Sequence, residues 1–318
     1  MLKKRIDFID VAKGLTIIAM ILGHLVYMPG GDNGVSAALK RAVHAFHMPL
    51  FFMVAGFFLS TSKPWPRFLK DKARRLLLPY AVGVAARVLA GCCSLVSAVF
   101  GSALFFDDTL IGKTDCVGPV WFLMALFLAL SLVRLSLRWR YGGAAIFVLA
   151  GAAFVWTRLG LMWLPLDLVQ VPVGAAYVYL GQKIYRDGDF LGRFNKPVVI
   201  LGGCLWALEF FGGWELSIAG MTGPVWTYLA AVFVVASVLW LSRQLLRLRP
   251  VGAFLRWCGE NSLSVLLMHQ FYFMAGGDKW FYDHVTHGYC LNAVAFVILP
   301  ILASWVYHRL NYDRLSPS

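Results

Sequence analysis

Ionisable side chains inside long apolar stretches are the first candidates for chemistry, because a charge in hydrocarbon is costly and seldom idle. The richest group opens the chain as Asp10-Val-Ala-Lys13-Gly14, followed by Gly23-His24. In a helix, Asp10 and Lys13 are three residues apart and can pair on one face. Eleven steps of about 100° bring His24 to within roughly 20° of Lys13, about 16 Å further along the axis. That face would carry an ion pair near one membrane surface and an imidazole in the opposite half. A neutral imidazole there can accept the proton of an attacking hydroxyl. The plainer alternative is a snorkelling Lys13 and a His24 that only hydrogen-bonds a neighbouring helix.

Further polar groups follow. His44-Ala-Phe-His47-Met-Pro49 opens a second apolar run. Two histidines three apart suit two metal ligands from one helical turn. No carboxylate or cysteine lies nearby in sequence, so no metal is expected, and His44 and His47 read as the wall of a substrate cavity or as helix-packing or interfacial histidines. Lys70-Asp-Lys72-Ala-Arg74-Arg75-Leu-Leu-Leu-Pro79-Tyr80 leads into a third run. Clustered guanidinium groups suit a polyanion such as coenzyme A, and they equally suit membrane anchoring, which is enough for Lys63 and Arg67. Later come Asp167, Glu209 and Gly259-Glu-Asn261-Ser262-Leu-Ser264 through to His269. Asn261 and Ser262 can cap a helix start. Arg87 could pair with Asp167 or Glu209.

The elements that must position these groups are transmembrane helices. Of the 318 residues, 60% are hydrophobic and only 14% charged, against about 25% charged in soluble domains. The predicted fold is all-α, a polytopic bundle of about ten spans near 8–28, 43–60, 76–99, 119–137, 142–158, 163–182, 197–212, 224–241, 258–275 and 289–307. Residues 1–318 read as a single membrane-embedded domain with no separate soluble domain. Lys3-Lys4-Arg5 ahead of an apolar run resembles a signal peptide. Asp7, Asp10 and Lys13 interrupt it, so it reads as an uncleaved first span.

Outside the spans, every Lys and Arg except Lys40, Arg41, Lys113, Arg158 and Lys279 falls on one side of this topology. The positive-inside rule then places both termini in the cytoplasm. The net charge of +13 is explained by those loops, and no nucleic-acid motif accompanies it. Six cysteines form no CxxC pair, and a Cys116–Cys290 bridge is less favoured than two unrelated thiols. The two halves show no self-similarity, which weighs against common transporter folds.

Five motifs in order resemble acyltransferase family 3, in particular a branch similar to fucose 4-O-acetylases. They are Asp10-x-x-Lys13-Gly14 through Gly23-His24, then His47-Met-Pro-Leu-Phe-Phe52 with Gly56, and Lys72-x-x-Arg75-Leu-Leu-Leu-Pro79-Tyr80. Trp121-Phe122-Leu123 and Gly259-x-Asn261-Ser262-Leu263 through His269 complete the set. The resemblance implies a ten-helix bundle passing acetyl groups from cytoplasmic acetyl-CoA to a carbohydrate hydroxyl on the far face. His24 would be the general base, oriented by Lys13 and Asp10. Lys72, Arg74 and Arg75 would hold the coenzyme A phosphates. His44, His47, Trp121, Asn261, Ser262 and His269 would shape the acceptor cavity. Much of the family has Arg where this chain has Lys13, which keeps the charge and loses the guanidinium fork. The implied setting is a bacterial cytoplasmic membrane. The implied partners are a lipid-linked or polysaccharide acceptor, membrane lipid and, as an open option, a homo-oligomeric copy. The rival reading is a carrier for a small polar solute, which would not need an acyl donor, so binding of acetyl-CoA discriminates between the two.

Overall fold

Apolar stretches of this length must satisfy their backbone polar groups internally, and helices do so. The computed structural model describes residues 6–90, 118–160, 168–186, 195–216, 218 and 223–310; these fold into helices and contain no strand. In chain order the helices are α1 (Asp7–Gly23), α2 (Gly34–His44), α3 (His47–Phe57), α4 (Trp65–Lys72), α5 (Leu78–Leu89), α6 (Trp121–Ser136) and α7 (Gly142–Arg158). They continue as α8 (Val171–Arg186), α9 (Lys196–Gly212), α10 (Val225–Leu245), α11 (Arg249–Glu260), α12 (Ser262–Met274), α13 (Gly277–Phe281) and α14 (Tyr289–Leu310). Among the described residues, four segments are long and apolar enough to cross a bilayer: Asp7–Tyr27, Gly118–Ser136, Val225–Leu245 and Tyr289–Leu310. The apolar α7 is shorter. The expected spans 76–99 and 163–182 lie partly outside the described residues, as does Asp167.

Three local departures from the expected helices have identifiable causes. The run 43–60 is not one helix, because the chain turns at Ala45-Phe46 between α2 and α3. Pro49 explains the break. In a continuous helix its ring would meet the Ala45 carbonyl, whereas the first turn of a new helix accepts it. Pro79 acts similarly on Arg75, and there the helix widens into a π turn at Ala73–Leu77 instead of stopping. The run 258–275 is divided at Asn261, whose side-chain amide donates to the Trp257 carbonyl at 2.9 Å. The expected cap is therefore absent: Asn261 precedes α12 without a side-chain capping bond. Its amide serves the helix behind it, a local competition with backbone structure typical of this residue.

The chain divides into two units, Met1–His47 with Val238–Ser318, and Met48–Ser237. In the first, α1 and α11 approach until neither has room for a side chain. A Cβ on Gly14 would lie 1.8 Å from the Leu255 carbonyl oxygen, and one on Gly259 only 1.7 Å from that of Asp10. The contact is reciprocal, each glycine meeting the carbonyl one turn before the other. The second unit uses the same device between α3 and α8. There Gly56 faces the Val178 carbonyl and Gly181 the Met53 carbonyl, each leaving 2.1 Å for a Cβ. Small residues permit such approach where apolar burial cannot drive helices together in lipid.

Gly14→Ala and Gly259→Ala should each lower the thermal midpoint of the solubilised protein, with an overpacking cost of about 1–3 kcal/mol. Gly151→Ala, where a Cβ meets nothing within 4 Å, should leave it unchanged. Equal midpoints for all three variants would contradict the close crossing.

Candidate functional site

The site in the first unit starts where α1 ends. Beyond Gly23 the helix tightens into a 3-10 turn over His24–Tyr27. Gly23 lets α2 come near, since a Cβ there would sit 3.4 Å from Val43 Cγ1 and 4.0 Å from His44 Cδ2. His24 is thereby held at the end of an otherwise buried helix. Its Nδ1 lies 3.1 Å from Nε2 of His269 on α12. The two rings stack with centroids 5.3 Å apart and planes 16° from parallel. Phe296 of α14 presents its edge to the other side of His269, centroid to centroid 4.9 Å.

One proton occupies the hydrogen bond between the rings, so one nitrogen donates and the other accepts. If His24 Nδ1 donates, its Nε2 is left with a free lone pair. His269 then carries its own proton on Nδ1, a buried atom with no hydrogen-bond partner among the described residues.

Two more imidazoles close the site. His44 ends α2 and His47 begins α3, so they belong to successive helices and not to one turn as expected from their spacing. The turn between them still brings their centroids to 4.9 Å. His47 Nδ1 lies 3.1 Å from the Val43 carbonyl; a carbonyl only accepts, so Nδ1 carries the proton and Nε2 the lone pair. His44, His47 and Lys40 are all near enough to act electrostatically on His24. Lys40 also lies over the Tyr27 ring at 5.9 Å, and that ring is 6.0 Å from His24. Among the described residues there is no group of three or more His, Cys, Asp and Glu arranged to hold a metal ion.

At the other end of α1, Lys13 and the buried Asp10 form the expected ion pair at 2.7 Å. Asn261 and Ser262 lie at the α11–α12 junction, two turns before His269. Ser264 next to them bonds Ser304 Oγ at 2.6 Å and His308 Nε2 at 3.0 Å.

The second unit holds the other expected residues. Trp121 is buried at the start of α6, edge-on to Phe122, which is in turn edge-on to Phe52. Lys72 closes α4, and Arg74 and Arg75 are exposed on the π turn. Asp71 does not neutralise these arginines at contact distance; it pairs with Lys63 at 2.5 Å. That hydrogen bond, with the charges of Lys63, Arg67 and Arg75, keeps the Asp71 carboxyl below its ordinary range. Arg134 is buried over Phe68 at 4.2 Å and donates to the Lys63 carbonyl. Arg87 packs against Gly118. Both carboxylate oxygens of the buried Glu209 lack a hydrogen-bond partner among the described residues, so no Arg87–Glu209 pair forms.

A model of the acyltransferase 3 family, described as an acyltransferase domain, matches residues 6–309. The chain belongs to this family. It is also similar to Nodulation protein NolL of Mesorhizobium japonicum, 29% identical over 136 residues, covering 39% of this chain and 34% of the relative. Nodulation protein NolL of Sinorhizobium fredii is likewise 29% identical over 136 residues, covering 40% of this chain and 35% of its own length. Each match thus spans about a third of the relative. In this acyltransferase family member, His24 and His269 bring two imidazoles into hydrogen-bond reach at the end of α1. Their contact joins residues 245 positions apart, and motif spacing gave no sign of it. Lys40, Tyr27 and Phe296 were missed for the same reason: ordinary residue types, placed by tertiary packing alone.

The imidazole pair predicts a spectroscopic signature. With nitrogen-15-labelled histidine, His24 Nδ1 and His269 Nε2 should appear as one protonated and one bare nitrogen, and His269→Ala should shift the His24 Nδ1 resonance. An unmoved resonance would contradict the hydrogen bond.

Proposed function

We propose that this acyltransferase 3 family member is a membrane-bound O-acetyltransferase, moving an acetyl group from cytoplasmic acetyl-CoA to a hydroxyl of a lipid-linked or cell-surface carbohydrate. The observation that carries this reading is the 3.1 Å contact between His24 and His269. Two imidazoles within hydrogen-bond reach at the end of an apolar helix, in a chain of an acyltransferase family, support a base with an orienting partner.

His24 Nδ1–H donates to His269 Nε2 and leaves His24 Nε2 bare. The acceptor hydroxyl attacks the thioester carbonyl as its proton passes to that nitrogen. The new C–O bond forms, the C–S bond breaks, and the coenzyme A thiolate takes the proton from the imidazolium. The hydrogen bond to His269 fixes the His24 tautomer and spreads the transient positive charge, a role that a carboxylate fills in many hydrolytic triads. His44 and His47 wall the acceptor side of the imidazole. Lys13, held by Asp10 at 2.7 Å, supplies a positive charge where the polyanionic donor arrives. In the second unit, Lys72 and the exposed Arg74 and Arg75 offer the charges suited to a coenzyme A phosphate, for which guanidinium forks are well shaped. In this reading the chain works as one membrane-embedded domain of about ten spans in a bacterial cytoplasmic membrane, with both termini inside.

The test is label transfer from radiolabelled acetyl-CoA in membranes containing the native protein or His24→Ala. The native protein should label a glycan or lipid-linked sugar, and the variant should lose about 10²-fold or more of that rate. Equal labelling by both would remove His24 from the base role. Failure of the native protein to consume acetyl-CoA in acceptor-rich membranes would favour a solute carrier.

A further inference from the structure

Beyond His269 lies a second polar group that the reaction above does not use. On α14 the buried residues Asn292, Phe296, Pro300 and Ser304 recur one turn apart. Ser264 meets Ser304 and His269 meets Phe296, so α12 and α14 run antiparallel in this register. Extending it brings Tyr272 level with Asn292, and the Tyr272 ring does lie 6.1 Å from that of Phe296. Gly277 then lets the chain fold back over the Tyr272 ring, where a Cβ would be 2.5 Å from Cε2. The next residue is Asp278, 1% exposed, whose charge reaches the Tyr272 hydroxyl.

These side chains share an unusual state. Asn292 is fully buried, yet neither its Nδ2 nor its Oδ1 has a hydrogen-bond partner among the described residues. Asp278 Oδ2 and Tyr272 Oη are buried and unpartnered in the same sense. An unmet buried polar atom is costly and calls for an explanation, and three residues with unmet atoms on helices that pack against one another call for one in common.

We propose that Tyr272, Asp278 and Asn292 form the subsite that binds the carbohydrate acceptor through its hydroxyl groups. This assignment rests on the O-acetyltransferase reading and adds the acceptor contacts to it. The unmet set includes donors as well as acceptors: a carboxylate oxygen that takes a hydroxyl proton, an amide that gives and takes, and a phenol that does either. A polyol satisfies all of them. A metal ion would leave the Asn292 amide protons and the Tyr272 hydroxyl proton unmet. The rings of Phe281 and Phe296 flank Tyr272 and supply the apolar surface usual in ligand pockets. Through Phe296 the subsite abuts His269, so a bound sugar lies next to the imidazole pair.

Without its ligand such a subsite costs stability. Burial holds the Asp278 carboxyl above its ordinary range, against the opposing pull of backbone N–H groups and Lys279. A carboxyl with a raised folded pKa favours the folded state when protonated and opposes it once pH rises through that pKa. At neutral pH Asp278→Asn should therefore melt no lower than the native protein when no acceptor is present.

The experiment titrates a glycolipid extract of the source membranes against solubilised protein and radiolabelled acetyl-CoA. Native protein is compared with Asp278→Asn and Asn292→Ala. Each variant should need about 10-fold or more extract for half-saturation, with the loss falling on half-saturation more than on turnover at saturation. An unchanged half-saturation in both variants overturns the proposal. So does a marked fall in the melting temperature of acceptor-free Asp278→Asn, which would give the carboxylate a structural task. If the native protein transfers no label, the O-acetyltransferase reading itself fails, and that is seen before any variant is compared.

Discussion

The reciprocal crossing of Gly14 and Gly259 governs the rest of the first unit. With 1.8 Å and 1.7 Å available for the two missing Cβ atoms, the α1 and α11 backbones touch, and neither helix can rotate or slide without collision. The constraint reaches the chemistry through covalent continuity. Helix α1 ends in His24, and α11 passes through the single residue Asn261 into α12, which carries His269. A contact between two glycines thus fixes both ends of the imidazole pair. The same crossing sits within one turn of Asp10 and Lys13, so the ion pair and the imidazole are held in register on one helix.

Around this frame the polar groups are arranged by the cost of leaving them unmet. Several are satisfied locally: Thr16 bonds the Ala12 carbonyl, Ser242 the Val238 carbonyl, and Ser264 is met by Ser304 and His308. Others are not satisfied by described residues, and they occur in both units. In the first unit, Arg41 Nε is one, while His269 Nδ1, Tyr272 Oη, Asp278 Oδ2 and the Asn292 amide lie along one antiparallel pair of helices and the short helix that joins them. An apolar bundle that tolerates such groups together gives up stability there, as proteins do at sites built to meet a ligand. The arginines show the complementary economy. Arg134 is folded into the protein over Phe68, while Arg74 and Arg75 remain exposed on a π turn that Pro79 imposes.

Much of the local structure was legible in the sequence because local rules decide it. Periodicity and polarity located the first span, the Asp10–Lys13 pair and helices α7 and α9 within a residue or two. The breaks at Ala45-Phe46 and Asn261 were missed, although Pro49 and Asn261 carry the signals. Hydropathy averages over a window and passes across a one- or two-residue turn inside an apolar run. The site was legible only as a collection of suspicious residues. His24 stood out as an intramembrane imidazole, whereas its partnership with His269 depends on a helix crossing elsewhere. Tyr272, Asp278 and Asn292 were invisible, since nothing in residue type or spacing distinguishes them before α12 and α14 are seen in register.

If His24 and His269 act as one unit in acyl transfer, a double-mutant cycle will show it. Label transfer from acetyl-CoA to acceptor would be measured for His24→Gln, His269→Gln and the double variant in the same membranes. Groups that work as a unit show strongly non-additive losses. The double variant should therefore be about as active as His24→Gln alone. Independent losses that multiply in the double variant would contradict the pairing and leave His269 a packing residue.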